Sequence, residues 1–365
     1  MTDKKCIGCG SILQDTDPKK SGFIPLLKED SKYCKRCFRM MHYNELPKVI
    51  ASNQDYEVVI DNVLKKDSLI IFVVDIFAFK ATFNKAMISK LRDKNVILVA
   101  NKYDVFPKST NVESIVNWLS KQCEKISFKV DAIHIVSSKK GYYIDDLMNT
   151  IDLARRGRDV YFLGCANVGK SSLVNALLKR NTSIEHDVIS TSIIPGTTLN
   201  EISIPFFEDG RCFIDTPGLI NEADVLNQLL PISYSSIIPN KEMNPKTYQI
   251  NSGNAIFLAG LASLTVVDGN PSIIVYTSPD LYIHRCKAEK VDEFYKTQIG
   301  KLLTPPDYSE KNKIKYKTEN YVFDGIKKKD IWFSGFGFVS IKGECKIKLT
   351  YIDNTEVFIT NAIIG

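Results

Sequence analysis

Residues 164–171 have the sequence GCANVGKS, and this short stretch decides the fold. It matches the pattern G-x-x-x-x-G-K-S/T, whose glycines let the backbone wrap round a chain of phosphates. An apolar run (residues 159–164) precedes it and a helical stretch (residues 171–179) follows it. A helix that begins there points its free N–H groups at negative charge. The stretch therefore predicts a phosphate-binding loop in an α/β domain, and a glycine-rich turn without a ligand is the alternative.

The positions of this loop have distinct expected roles. We expect the Lys170 ammonium to neutralise the β- and γ-phosphates, and the Ser171 hydroxyl to be a Mg²⁺ ligand. Lys170 is therefore predicted to be catalytic as well as nucleotide-binding. The nucleotide-binding residues predicted in this stretch are Gly164, Asn167, Val168, Gly169, Lys170, Ser171 and Ser172.

Five short apolar runs lie between residues 48 and 225, and amphipathic stretches separate them. This alternation is typical of a parallel sheet that helices cover on both faces. Each run ends at a polar motif, and ligands bind outside the carboxyl ends of the strands in open α/β sheets. We therefore expect five motif-bearing loops at one edge of the sheet. The runs are residues 68–75 (SLIIFVVD), 95–101 (NVILVAN), 131–137 (DAIHIVS), 159–164 (DVYFLG) and 211–215 (RCFID).

Two motifs downstream of the phosphate loop extend its chemistry. In residues 215–218 (DTPG), Asp215 is predicted to hold Mg²⁺ indirectly and the Gly218 amide to sense the γ-phosphate. Residues 195–198 (PGTT) resemble the switch I segment of translation-related GTPases, with Thr198 as the preferred Mg²⁺ ligand and Thr197 as the alternative. Taken singly, either motif is compatible with an ordinary turn. The predicted catalytic residues are Lys170, Thr198, Asp215 and Gly218.

Two motifs upstream of the phosphate loop are suited to a guanine base. In residues 101–104 (NKYD), the Asp104 carboxylate can accept from both N1–H and the exocyclic amine of guanine, a donor pair that adenine lacks. We expect Asn101 to contact the base and tie loops together, and the Lys102 stem to pack along its face. Residues 137–141 (SSKKG) resemble the loop that supports guanine O6 through backbone N–H groups. The nucleotide-binding residues predicted in that loop are Ser137, Ser138 and Lys139.

The motifs are complete, but the guanine half comes before the phosphate half. Strand pairing depends on position in space and not on chain order, so a permuted chain can build the same sheet and site. The order predicts a circularly permuted P-loop GTPase domain over residues 48–225. Residues 221–230 then join the segment after Asp215 directly to a C-terminal domain, residues 226–365. We expect movement that depends on the γ-phosphate to reorient that domain.

Residues 1–47 are polar and too few to bury much core. They contain two C-x₂-C pairs, whose four thiolates predict a closed, structural zinc site; redox chemistry is the alternative, and His42 is a weaker ligand candidate. Basic and aromatic side chains surround the pairs and are suited to RNA phosphates and bases, with a solvated charged surface as the alternative. The predicted zinc ligands are Cys6, Cys9, Cys34 and Cys37.

Composition sets outer limits on location and partners. The chain has 365 residues, and its 48 basic and 42 acidic residues leave a net charge of +6, which permits a nucleic-acid partner without requiring one. We find no apolar run of about 18 residues that could cross a bilayer, and no apolar secretory signal at the start. We therefore expect a cytoplasmic protein without a membrane partner. Residues 226–365 read as β-rich, with a helix near residues 288–303 and a loop at residues 305–317.

The cysteine pairs, the permuted motif order and the β-rich end together resemble the YqeH-type family of circularly permuted GTPases. The resemblance implies a GTP-hydrolysing ribosome assembly factor that acts on the small ribosomal subunit or its RNA, with no DNA partner expected. The family has aspartate where this chain has Ala78. Leu219 replaces the water-orienting glutamine of Ras-like enzymes, so we expect slow intrinsic turnover. Asn167 occupies the position that potassium-activated relatives use as a K⁺ ligand, so we expect K⁺ to stimulate hydrolysis.

Two other classes of function compete with that one. A GTP-driven factor for tRNA modification, or another RNA-acting enzyme, would need a second catalytic constellation, and we see none in the sequence. A zinc-dependent RNA-binding module with a degenerate nucleotide site would not need the intact Lys170, Ser171, Asp215 and Asp104.

Overall fold

The computed structural model describes residues 4, 6, 12–17, 22–28, 31–35, 53–180, 194–195, 201–219 and 224–364. The chain forms two compact units. The first unit consists of Met1–Asp75, Lys85–Tyr103 and Leu119–Ile220. The second consists of Ile76–Asn84, Asp104–Trp118 and Asn221–Gly365, so two short segments of the predicted GTPase region belong to the same compact unit as the C-terminal region.

The first unit is built on one sheet of seven strands. The strands are β1 (Ser68–Asp75), β2 (Val96–Asn101), β3 (Ala132–Ile135), β4 (Asp159–Leu163), β5 (Ile194–Pro195), β6 (Ile202–Pro205) and β7 (Cys212–Asp215). Their order across the sheet is β3-β2-β1-β4-β7-β6-β5. The first five strands in that order are parallel, and β6 and β5 continue the sheet antiparallel.

The five parallel strands lie where the apolar runs predict them, within two residues at each end. Every residue of β1 and β2 is buried, as in strands covered on both faces, and this is why their sequences are continuous apolar runs. Strands β5 and β6 were not predicted, and the sheet is therefore mixed and not purely parallel. Strand β6 has only four residues, of which two are half-buried, so it gives no run to recognise.

In the described part of the chain, six helices connect or precede these strands. They are α1 (Asn53–Leu64), α2 (Phe79–Thr82), α3 (Lys85–Leu91), α4 (Val112–Lys125), α5 (Ile144–Arg155) and α6 (Lys170–Arg180). Helix α6 follows the phosphate loop as predicted and begins one residue earlier, at Lys170. It buries Leu173, Val174 and Leu177, which are spaced three and four residues apart and so share one face.

The second unit is β-rich, as the alternating sequence pattern predicts. Its strands are β8 (Lys246–Gln249), β9 (Asn254–Leu258), β10 (Ala262–Gly269), β11 (Ser272–Tyr276), β12 (Ile283–Lys287), β13 (Ile299–Gly300), β14 (Leu303–Asp307), β15 (Tyr316–Asp324), β16 (Lys329–Phe333), β17 (Gly337–Lys342), β18 (Glu344–Ile352) and β19 (Val357–Asn361). Two antiparallel sheets have the orders β12-β9-β10-β18-β15 and β19-β16-β17-β11-β8. Leu264 and Leu349 of the first sheet share one core with Val275 and Val339 of the second.

Two predictions for this unit were wrong in extent. A short α7 (Tyr234–Ile237) comes first. The helix expected over residues 288–303 begins as predicted, with a 3-10 turn (Ala288–Lys290) that leads into α8 (Val291–Thr297), but it ends earlier, because strand β13 begins at Ile299. The loop expected over residues 305–317 contains the end of β14 and a 3-10 turn, Tyr308–Glu310. The Glu310 carboxylate is buried and accepts from the N–H groups of Leu230 (2.5 Å) and Asp307 (2.8 Å). The charged side chain of Glu310 therefore belongs to a structured turn and not to a loop.

Among the residues that the structure describes, no helix is long and apolar enough to cross a membrane.

Candidate functional site

The phosphate loop follows β4 and is closely packed against the end of β2. Asn167 and Gly169 have positive φ angles of 63° and 94°, which give the loop its turn. A Cβ atom at Gly169 would lie 2.4 Å from Nδ2 of Asn101, far closer than any contact allows. Glycine is therefore required at this position both by the backbone conformation and by the approach of Asn101.

Lys170 is buried at the centre of the loop. Its Nζ donates to the carbonyl oxygens of Gly164 (2.9 Å) and Cys165 (3.0 Å). Burial lowers the pKa of the ammonium group, and the nearby Asp215 carboxylate acts in the opposite direction. A buried ammonium with two carbonyl acceptors is positioned to exchange them for phosphate oxygens.

Ser171 and Asp215 are brought together from two different elements. The Ser171 hydroxyl, in the first turn of α6, donates to Oδ2 of Asp215 at the end of β7 over 2.6 Å. A hydroxyl and a carboxylate are the hard oxygen ligands that Mg²⁺ prefers. The pair therefore fits the Mg²⁺ role predicted for both residues. Ser172, the next residue, is exposed.

The segment after Asp215 lies against the phosphate loop. Ala166 N–H donates to the Leu219 carbonyl (2.7 Å), and Leu219 N–H donates to the Gly164 carbonyl (3.3 Å). A Cβ atom at Gly218 would lie 2.6 Å from Cα of Ala166, so only glycine allows this approach. The Leu219 side chain is buried and has no group that could orient water. The hydrolytic water must then be positioned by something other than residue 219.

Asn101 connects three loops through its side-chain amide. Its Nδ2 donates to the Val168 carbonyl (2.9 Å) and to the Ser138 hydroxyl (3.1 Å), and its Oδ1 accepts from Ser138 N–H (3.0 Å). The side chain is almost completely buried. Asn101 therefore ties the loops together as expected, because its side-chain amide is hydrogen-bonded to protein atoms.

Lys102 has a partner that sequence reasoning did not find. It lies directly after β2 in a left-handed conformation, with φ of 71°. Its ammonium forms an ion pair and hydrogen bond with Asp75, at the end of β1. The β1–β2 register places Asp75 opposite Asn101. Asp75, the last residue of β1, therefore holds Lys102, the residue that follows β2. The only sequence signal was the aspartate that ends the apolar run at residues 68–75.

The loop of residues 137–141 is held by its own turn. Gly141 N–H donates to the Ser137 carbonyl (2.8 Å), and Lys140 N–H donates to the Ser137 hydroxyl (3.0 Å). Arg180, at the end of α6, donates to the Gly141 carbonyl (3.1 Å). Ser137 is buried, whereas Lys139 is exposed. The backbone N–H groups of this loop are thus held in place by contacts that do not depend on a ligand.

Asp104 follows Lys102 by two residues and lies in a 3-10 turn, Tyr103–Val105. The turn begins with Tyr103 N–H donating to the Val136 carbonyl, at the end of the neighbouring strand (3.1 Å). Thr197 and Thr198 lie outside the described residues, so the choice between them stays a prediction.

The N-terminal cysteine pairs are partly described. Cys6 and Cys34, one from each pair, are buried, and Cys34 N–H donates to the Cys6 sulfur over 3.2 Å. Leu13 and Tyr33 pack against them. Cys9, Cys37 and His42 lie outside the described residues. Within the described part of the chain, no group of three or more metal-ligating side chains is present.

Comparisons with known proteins agree with these motifs. Residues 159–251 match the family described as 50S ribosome-binding GTPase, and residues 270–363 match the family described as YqeH-like, C-terminal. YqeH of Bacillus subtilis is 34% identical over 98% of this chain and 99% of its own length. NO-associated protein 1, chloroplastic/mitochondrial, of Arabidopsis thaliana is 28% identical over 92% of this chain and 69% of its own. GTPase Der of Mycoplasma mycoides is 31% identical over 47% of this chain and 39% of its own.

Proposed function

Because the chain belongs to the YqeH family of GTPases, we propose that it is a ribosome assembly factor whose grip on ribosomal RNA depends on the bound nucleotide. The protein is a GTP-hydrolysing enzyme that takes GTP and yields GDP. The proposed target is the small ribosomal subunit or its RNA. The family description that matches residues 159–251 names the 50S subunit, so the test below includes both subunits.

The nucleotide roles follow the contacts around the phosphate loop. Lys170 would hold the β- and γ-phosphates in place of the carbonyls that it now contacts. Ser171 would hold Mg²⁺ together with Thr198 or Thr197, and Asp215 would hold it indirectly. The metal supplies charge neutralisation at the phosphates. Asp104 reads the guanine, and the Gly218 amide senses the γ-phosphate.

The strand order supports the proposed circular permutation. Strand β4, which carries the phosphate loop, lies in the middle of the sheet between β1 and β7. The strands with guanine motifs lie on one side and come earlier in the chain, and the strands with the later phosphate motifs lie on the other. A chain cut on the guanine side of an ordinary GTPase sheet, with its old ends joined, would have this arrangement.

The feature that best supports a nucleotide-dependent grip is the short link after Leu219. Leu219 is bonded to the phosphate loop, whereas Val225 is buried in the core of the second unit and its N–H donates to the Ser334 carbonyl (3.2 Å). Asp224 caps the turn that follows by accepting from Leu226 N–H (2.9 Å). Only residues 220–223 separate Leu219 from Asp224. If Leu219 loses its bonds to the phosphate loop in one nucleotide state, this short link no longer ties the start of the C-terminal region to that loop.

The direct test is co-sedimentation of the protein with purified 30S and 50S subunits in GDP and in a non-hydrolysable GTP analogue. We expect binding to 30S subunits that differs at least several-fold between the two nucleotides and weakens as salt rises. Binding to 50S alone would redirect the proposal to the large subunit. Equal binding in both nucleotide states would contradict the nucleotide-dependent grip.

Zinc is proposed for the N-terminal cysteines. The buried Cys6 and Cys34, with an N–H group donating to sulfur, are consistent with two thiolates of a four-thiolate site. We expect one zinc per chain by elemental analysis and a loss of that metal in Cys34→Ser. Full zinc content in the variant, or none in the wild type, would contradict the assignment.

Potassium is proposed as an activator through Asn167. We expect faster GTP turnover in KCl than in NaCl at equal ionic strength, and no such difference in Asn167→Ala. Equal wild-type rates in the two salts would rule out this role.

A further inference from the structure

The turn that carries Asp104 is held by the C-terminal region. The boundary between the two compact units falls between Tyr103 and Asp104, and the segment Asp104–Trp118 groups with Asn221–Gly365. Asp104 is thus only three residues from Asn101 in the chain, yet the residues that follow it bond to residues more than 130 positions later. The contacts of Val105, Phe106 and Lys108 show how this is achieved.

Two backbone groups of the segment bond to the stretch before β8. The Val105 carbonyl accepts from Met243 N–H over 2.7 Å. Lys108 N–H donates to the Glu242 carboxylate over 2.9 Å. Met243 is buried, whereas Glu242 is exposed. These bonds fix the backbone on both sides of Phe106.

Phe106 lies between these two hydrogen-bonded residues in the chain, and its side chain packs into an aromatic cluster of the second unit. It is 2% exposed, and its ring stacks on Phe338 of β17 at 6.2 Å between centroids. Phe338 in turn stacks on Tyr276 (4.5 Å) and Trp332 (4.1 Å). Phe106, two positions after Asp104, is therefore anchored against β17, the middle strand of an antiparallel sheet.

The other end of the segment is anchored in the same cluster. The ring of Trp118, in α4, stacks on Trp332 at 5.3 Å, and both indole N–H groups donate to the Thr360 hydroxyl of β19. The segment from Asp104 to Trp118 is thus attached to the second unit near its start and at its end.

We propose that Phe106, Met243 and Glu242 are positioning residues for Asp104, and that they affect the affinity for the guanine base through this carboxylate. This rests on the proposed role of Asp104 as the guanine-reading carboxylate. A carboxylate that accepts two hydrogen bonds from one base edge must have its position held within about 0.5 Å. The base is common to GDP and GTP, so the effect is the same on both nucleotides, in contrast to the link after Leu219, which responds to the γ-phosphate.

The test compares Phe106→Leu and Glu242→Ala with two matched controls in the same unit. Phe257→Leu makes the same change in a buried ring that stacks on Phe294 and lies tilted against Tyr295, and Glu344→Ala removes another exposed carboxylate. We expect Phe106→Leu to raise the Kd of GDP and of GTP by the same factor, about five- to tenfold, through faster dissociation. Glu242→Ala, which leaves the core intact, is expected to raise both about two- to threefold.

The control variants separate positioning from loss of stability. Phe257→Leu is expected to lower the melting temperature as much as Phe106→Leu, with wild-type Kd values. At saturating GTP the turnover of Phe106→Leu is expected to equal that of the wild type, because the change affects binding of the base and not hydrolysis. Wild-type Kd values in both Phe106→Leu and Glu242→Ala would overturn the proposal.

A double-mutant cycle shows whether the effect passes through Asp104. In the Asp104→Ala background, Phe106→Leu is expected to cause no further change in Kd. If the Kd of the double mutant instead rises by the product of the two single-mutant factors, Phe106 does not act through Asp104, and the proposal is overturned.

Asp104→Asn tests the underlying assignment separately. Xanthine has a carbonyl where guanine has the exocyclic amine, so an asparagine amide complements it, and this variant is expected to prefer XDP over GDP. If Asp104→Asn keeps its preference for GDP, the role of Asp104 in the proposed function fails. If it switches to XDP while Phe106→Leu has no effect, only the positioning role fails.

Discussion

The guanine-side loops and the phosphate-side loops of the first unit are both held by side-chain hydrogen bonds, but their partners differ in kind. On the guanine side, Asn101 bonds to Ser138 and to the Val168 carbonyl, groups that belong to the protein in every state. On the phosphate side, Lys170 bonds to two loop carbonyls and Ser171 bonds to Asp215. Those are the groups whose proposed ligands are phosphate and Mg²⁺.

This difference indicates two kinds of site. The guanine side is assembled in advance, so binding the base costs little ordering. The phosphate side keeps a buried ammonium satisfied with internal acceptors, since an unpaired buried charge is costly, and exchanges those acceptors when phosphate arrives. Four substitutions test this comparison, in order of decreasing expected effect.

Lys170→Ala should have the largest effect. It removes the ammonium from the phosphates and leaves the Gly164 and Cys165 carbonyls without their donor. Hydrogen bonds to charged groups contribute about 1.5–3 kcal/mol each, so we expect a loss of GTP affinity of roughly 100-fold or more. Equilibrium binding measures it, and the control is Lys179→Ala, an exposed lysine in the last turn of the same helix. Near-normal affinity would remove Lys170 from the phosphate site.

Asn101→Ala should come next, because it breaks three hydrogen bonds that connect three loops. At about 1 kcal/mol per bond, we expect the free energy of unfolding to fall by about 3 kcal/mol and the Kd of GDP to rise roughly tenfold or more. Denaturant melts and GDP titration measure the two effects. Asn95→Ala, at the other end of the same stretch of chain, is the control, since its side-chain bonds to Asp131 and Arg158 are both exposed. Unchanged stability would show that the guanine side is not held by Asn101.

Asp75→Asn should have a smaller effect through Lys102. It removes the charge that holds the Lys102 ammonium, and we expect the Kd of GDP and of GTP to rise equally, about threefold, in keeping with about 0.6 kcal/mol for an ion pair between a buried Asp75 and a Lys102 that keeps access to solvent. Asp61→Asn breaks an exposed ion pair with Lys90 in the same unit and should leave both Kd values unchanged. A change in GTP affinity alone would place Asp75 on the phosphate side of the comparison.

Glu201→Gln should have the smallest effect, on stability only. Glu201 is buried, and burial raises the pKa of its carboxyl while Lys66 partly lowers it again. The folded state therefore keeps its proton to a higher pH than the unfolded state does. The wild type should lose stability as pH rises above the ordinary glutamate range and through the raised pKa.

The variant lacks this titration, so its stability relative to the wild type should increase over the same pH range. Urea unfolding at pH 4 and pH 7 measures this change, with the exposed Glu208→Gln as control. If the difference in unfolding free energy between Glu201→Gln and the wild type is the same at pH 4 and pH 7, the account of Glu201 is contradicted.

Much of the first unit could be predicted from sequence because buried parallel strands are continuous apolar runs. Each of the five runs became a strand, and the motifs lie after the strands as expected. Strand β6 was missed because it is short and half-buried. The ion pair between Asp75 and Lys102 was missed because it depends on the register of β1 with β2, which no local pattern encodes.

The second unit was predictable only in class. Alternation predicted strands, but antiparallel partners such as β10 and β18 are about 80 residues apart, and local sequence does not identify them. The grouping of Asp104–Trp118 with the C-terminal region was not predicted either. Phe106 and Trp118 read as ordinary core residues, and only the fold shows that their ring partners are Phe338 and Trp332.

Hydrogen–deuterium exchange in GDP and in a non-hydrolysable GTP analogue tests the central comparison most directly. We predict equal protection in the two states for peptides that cover residues 96–104 and 132–142, because the guanine loops are held by bonds within the protein. Peptides that cover residues 164–171 and 212–230 should differ, because Lys170 and Leu219 change partners when the γ-phosphate is present. Guanine-side peptides that respond to the γ-phosphate as strongly as these would contradict the account.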